Sequence, residues 1–122
     1  MMDMRLVLFA VVGVAVISGA ARADDRRSVE TLLPGCRFQA SSPAPVQDSE
    51  WTQALACRDA IDAVIKNGPL QPSFLSSCVP DNTPPHLVAR AVVMFLEQDV
   101  QRMRERFDMR AAAALHTNWP CH

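Results

Sequence analysis

Cysteine and histidine are the residue types here with the most chemistry to offer. There are four cysteines, Cys36, Cys57, Cys78 and Cys121, and three histidines, His86, His116 and His122. Thiols and imidazoles together can hold zinc, build a nucleophile with its base, or pair off as disulfides. A zinc site needs ligands at short, repeated spacing. No C-x-x-C pair exists, and Cys121 and His122 are adjacent, so they do not converge on one metal. A Cys–His nucleophile is no better supported, because His86 falls in the first turn of a helix, away from any candidate nucleophile. There is no G-x-S-x-G, no glycine-rich phosphate loop and no tyrosine. Asp59 and Asp62 share one helix face, where two carboxylates read as a solvated surface. These absences exclude the usual catalytic sets and predict a binding protein without enzymatic activity, cofactor or metal. The remaining use of the cysteines is as disulfides. An even number of cysteines in a short exported chain implies such a framework, with three connectivities open.

Export is read from the N-terminus. Arg5 precedes an apolar run, Leu6–Ile17, and small residues lead to Ala21-Arg22-Ala23, an A-x-A cleavage signature. The apolar run is shorter than the roughly 20 residues that span a bilayer. Residues 1–23 are therefore expected to be a cleaved signal peptide, and 24–122 a single periplasmic domain. All four cysteines lie beyond the cleavage point. The formal net charge is −1 over the whole chain, and the leader removes charges of both signs. A near-neutral domain without a basic stripe argues against nucleic acid, or an anionic membrane after cleavage, as partner.

Four helical stretches and no strand pattern follow, predicting an all-α fold, a small disulfide-linked bundle. Ser28–Leu33 reads as a short helix capped by Ser28 and ended by Pro34-Gly35. Gln39–Gln47 reads as a polar loop. A second helix spans about Ser49–Asn67, with Ala54, Cys57, Ile61, Val64 and Ile65 on one stripe and Asn67-Gly68-Pro69 as its stop. Leu70, Phe74 and Leu75 lie in a connector and are expected to pack beneath it. Thr83 can cap the third helix with Pro84 at its first position. Val88, Ala91, Val92, Phe95 and Leu96 form its core stripe, and the helix ends or bends near Gln98. The fourth helix covers about Asp108–Thr117. Cys78 precedes the third helix and Cys121 follows the fourth, so an antiparallel pair brings them together. Cys36 follows the first helix and Cys57 lies in the second. The helix order thus predicts Cys36–Cys57 and Cys78–Cys121.

The third helix is apolar beyond one stripe, since Val93 and Met94 fall outside it. A helix apolar on several sides is buried on several sides. Either the other helices wrap it, or it carries a dimer or partner surface. The stretch after it, Asp99–Phe107, mixes arginines with acids.

Leu32-Leu-x-x-Cys36, Cys57-x-x-x-Ile61, Phe74-x-x-x-Cys78-Val-Pro80 leading into Leu87-x-x-x-x-Val-Val-x-Phe-Leu96, Ala114-Leu115 and Trp119-Pro-Cys121 resemble the Rap/Tai-type immunity proteins of type VI secretion. The chain departs from their pattern at Asp59, Ala60, Ala63 and Val100. The resemblance spans nearly all of the mature chain. It implies an all-helical periplasmic protein, often a homodimer, that binds and inhibits a peptidoglycan amidase effector. It also places effector contact on the third helix and the loop after it. On this chain those are the exposed side of Pro84–Gln98 through about Phe107, with Val93, Met94, Arg102 and Arg104 as contact residues. The second reading of the chain is a small periplasmic chaperone of the acid-stress type, or another exported binding protein.

Overall fold

The computed structural model describes residues 27–41 and 47–122. The expected signal peptide, and most of the expected polar loop after the first helix, lie outside the described residues. Among the described residues there are four helices: α1 (Val29–Ala40), α2 (Asp48–Asn67), α3 (Pro85–Glu97) and α4 (Phe107–Asn118). Single 3-10 turns at Gly68–Leu70 and Val100–Arg102 lie in the connections. Among the described residues there is no strand, only isolated antiparallel bridges at Ser28–Arg106 and Ser77–Pro120. This is the all-α bundle expected from the periodicity.

Helix α1 starts where expected. Ser28 is extended, and its hydroxyl accepts a hydrogen bond from the Thr31 amide at 3.3 Å, satisfying one of the helix's orphan donors. It does not stop at Pro34-Gly35, as the sequence suggested, but runs on to Ala40. Pro34 has no N–H to give the Glu30 carbonyl. Both residues lie on the exposed side, where water can take that carbonyl. Gly35 acts through its size. A Cβ there would overlap the backbone carbonyl of Gln53 on α2. Its absence lets the two helices touch, and the adjacent Cys36 bonds Cys57 across that contact. Burial of Leu32, Leu33, Gly35 and Cys36 thus outweighs the two helix-breaking propensities.

Helix α2 ends at Asn67 as expected, though not by a left-handed glycine. Gly68 has φ −54° and ψ −51°. Its role too is space, because a Cβ would collide with Ser77, whose amide donates to the Gly68 carbonyl at 3.1 Å. Helix α3 starts one residue later than expected. Pro84 is the extended cap, at ψ 136°, and Pro85 opens the helix. A residue that precedes proline is driven out of the helical region, so Pro84 cannot itself be the first turn. Helix α3 ends at Glu97 with Gln98 as cap, where the expected break falls.

The core stripe of α3 is rotated from the expected one. Val88, Ala89, Val92, Val93 and Leu96 are buried, whereas Ala91 and Phe95 are half-buried. Helix α3 packs against both α1 and α4, so two adjacent stripes are covered. Val93, expected at a partner surface, is 8% exposed and belongs to the core. Phe107 opens α4 and is among the largest fully buried side chains. Three of the four alanines in Ala111–Ala114 are buried, and their small size lets α4 lie close to its neighbours. Leu70 and Phe74 do not pack under the connector, being 82% and 71% exposed, while Leu75 is packed against the core.

Candidate functional site

The cysteines and one of the histidines serve the structure. All four cysteines are bonded, as Cys36–Cys57 and Cys78–Cys121. These are the two pairs that the helix order predicts. The His116 ring nitrogen Nδ1 lies 2.7 Å from the Ser76 carbonyl and so ties α4 to the connector before α3. Asp59 and Asp62 are exposed on α2. Among the described residues no group of histidine, cysteine or carboxylate side chains could hold a metal ion.

The site offered by the structure is a surface made by α3 and the loop after it. Leu87, Arg90 and Met94 recur at helical spacing along the outer line of α3, and all three are exposed, Met94 by 61%. Of the two apolar α3 residues expected to meet a partner, only Met94 reaches the surface. Glu97 continues this line and is held by Arg37 of α1, with Nε to Oε2 at 2.8 Å. On the neighbouring side the Arg110 guanidinium lies 4.8 Å from the centroid of the half-buried Phe95 ring, a cation–π arrangement that covers the ring.

The Asp99–Arg106 loop is a fixed structure, although it has almost no regular secondary structure. The Asp99 carboxylate accepts from the Gln101 amide at 3.2 Å and sets the turn. The loop backbone then satisfies the start of α1. Val29 donates to the Glu105 carbonyl and Glu30 to the Met103 carbonyl, each at 2.9 Å, and Phe107 donates to the Arg27 carbonyl at 2.8 Å. Helix N-termini leave amides unpaired, and here a distant loop supplies the acceptors. The expected arginines differ within it. Arg102 is held by Asp99 at 2.9 Å and reaches Glu105 at 3.8 Å. Arg104 is exposed, and among the described residues it makes no ion pair. Val100, at the loop's first turn, is also exposed. The surface therefore presents two apolar side chains of α3, an apolar loop residue and two cations, Arg90 and Arg104, that make no ion pair among the described residues. That composition suits recognition of another protein.

The periodicity did not reveal the loop's role as a cap, because its bonds to α1 run through backbone groups that any residue type carries. Exposed Leu70 and Phe74 were also missed. A leucine and a phenylalanine beside a proline-rich turn carry no signal that separates core from surface. A cleft of about 210 Å³ between α2 and the turn before α3 is lined by Arg58, Ile61, Ile65, Val79, Asp81 and Val88, among others. Among the described residues no helix is long and apolar enough to cross a membrane.

The fold and the surface define a small, disulfide-linked helical binding protein. A family model of the Rap1a immunity proteins matches residues 28–121. The chain belongs to that family, and so to the immunity proteins that act against an effector. The match covers all four helices and both disulfides. No curated protein and no solved structure matches the chain.

Proposed function

We propose that the chain is exported through residues 1–23 and works in the periplasm as a single domain, residues 24–122. There it binds and inhibits a peptidoglycan amidase delivered by type VI secretion. Membership of the immunity family, over residues 28–121, carries this reading. The amidase target is what the resemblance to the Rap/Tai-type immunity proteins implies, carried by the cysteine layout and the terminal Trp119-Pro120-Cys121.

Inhibition needs no chemistry from this chain. An amidase is silenced when a rigid surface occupies its cleft and keeps the wall peptide out. The α3 line and the Asp99–Arg106 loop supply such a surface, with Met94 as apolar anchor and Arg104 as a loop cation free to pair with an effector carboxylate. Arg102 acts by holding the loop in shape through Asp99 and Glu105. A preformed loop loses little conformational freedom on binding, which favours affinity. A homodimer would use the same exposed helix lines and compete with the effector for them.

The test is co-purification with the amidase encoded beside this chain, followed by digestion of purified cell wall. The expected result is a stable complex without wall cleavage. Absence of a neighbouring effector would sink the reading. So would suppression of aggregation of unrelated proteins at low pH without any effect on an amidase.

A further inference from the structure

The two disulfides sit in opposite surroundings. Cys36 and Cys57 are both fully buried, within the core cluster that also holds Leu32, Leu33 and Ile61. Cys78 is exposed and Cys121 half-buried. Their bond joins the connector before α3 to the tail after α4, across 43 residues of chain. Attack on a disulfide requires a thiolate to reach one of its sulfurs, and only one of these bonds lies where a reagent can arrive. We infer that Cys78–Cys121 is a thiol-exchange site in the folded protein, open to small thiols and to dithiol partners, and that Cys36–Cys57 is closed to them until the domain unfolds.

The chemistry balances as follows. An external thiolate attacks the Cys78 sulfur, forming a mixed disulfide there. The Cys78–Cys121 bond breaks, and Cys121 leaves as a thiolate and takes up a proton. With one monothiol the product is this adduct on Cys78, and a second monothiol can displace Cys78 to leave both protein thiols and the reagent's disulfide. With a dithiol, the second thiolate displaces Cys78 and the reagent leaves as its own disulfide. Two electrons have then passed from the reagent to the protein pair.

Opening stays local because the connector is held by other bonds. The Ser77 amide remains on the Gly68 carbonyl at 3.1 Å, and the His116 ring remains 2.7 Å from the Ser76 carbonyl. Trp119 keeps its amide on the Leu115 carbonyl at 2.7 Å. Only the end of the tail is released, where the Cys78 amide meets the Trp119 carbonyl at 2.8 Å and Pro120 bridges Ser77. The helices and the α3 surface stay in place.

The experiment treats the native, oxidised protein with reduced glutathione in one arm and dithiothreitol in the other, without denaturant. Samples are acid-quenched, alkylated and mapped by peptide mass. Glutathione is expected on Cys78. Dithiothreitol is expected to expose Cys78 and Cys121 to alkylation at a rate proportional to its concentration. Cys36 and Cys57 should be labelled at least about tenfold more slowly, at a rate that no longer rises with reagent because unfolding limits it. Equal rates for the two bonds, a first adduct on Cys121, or earlier labelling of Cys36 and Cys57 would overturn the assignment. A C78S/C121S double variant should lose the fast phase altogether. Fast labelling that persists in the variant with its helical circular-dichroism signal intact would also overturn the inference, and where the variant folds poorly the unmodified protein decides the matter.

Discussion

Phe107 and Phe95 are the same residue type on neighbouring helices, and their settings separate them. Phe107 is fully buried at the start of α4, whereas Phe95 is half-buried on α3 with Arg110 across its ring. Phe107→Ala should therefore destabilise the oxidised domain by about 3–5 kcal/mol. Phe95→Ala should cost only about 1–2 kcal/mol, because part of that ring keeps its water in the folded state. Chemical denaturation followed by circular dichroism measures both, and the order of the two midpoints is the check. Gly35 gives a second prediction at this scale. A methyl group there meets backbone, which cannot swing aside as a side chain can. Gly35→Ala should lower stability by about 1–3 kcal/mol despite alanine's better helix propensity. A gain in stability would show that α1 and α2 can part without loss.

At the scale of elements, the number of helices and most of their ends were legible in the sequence. Ala54, Cys57, Ile61 and Val64 gave α2 its buried stripe, and α3 ends near Gln98 as expected. The misses came where tertiary contact overrode local preference. Pro34 and Gly35 look like a stop but lie inside α1, since only a residue without a side chain fits against Gln53. Val93 fell outside the expected stripe, which left cover by other helices or a partner surface open, and two neighbouring helices cover it. Of the candidate site, Met94 and Arg104 were legible as exposed types. The fixed loop that carries Arg104 was not. That loop yields a graded prediction. Arg104→Glu should weaken amidase inhibition by at least about tenfold, the loss of one charge-assisted contact, with the helical circular-dichroism signal unchanged. Arg102→Glu sets a third acid between Asp99 and Glu105, so it should impair inhibition and lower the melting temperature as well. Titration of inhibition in a wall-digestion assay, beside thermal melts of each variant, distinguishes the two effects.

Across the whole molecule the two cross-links divide the work. Cys36–Cys57 closes a loop at sequence separation 21 and fills the middle of the core, and Cys78–Cys121 closes one at 43. Chain entropy alone assigns each about 3–4 kcal/mol and slightly favours the longer loop. The buried pair also contributes packing, so replacing Cys36 and Cys57 by serine should destabilise more than the same change at Cys78 and Cys121. Denaturation midpoints that fall in the opposite order would show that loop length dominates. The backbone cap on α1 has a consequence in time. Residues Val29 and Glu30 wait for carbonyls contributed by Glu105 and Met103, which lie 76 and 73 residues further along the chain. A polypeptide delivered N-terminus first can pair Cys36 with Cys57 early, but it cannot finish its first helix until nearly all of it has arrived. Until then the domain lacks its final structure. The loop that completes the first helix also carries Arg104, so the first helix and the proposed contact loop take their final form together.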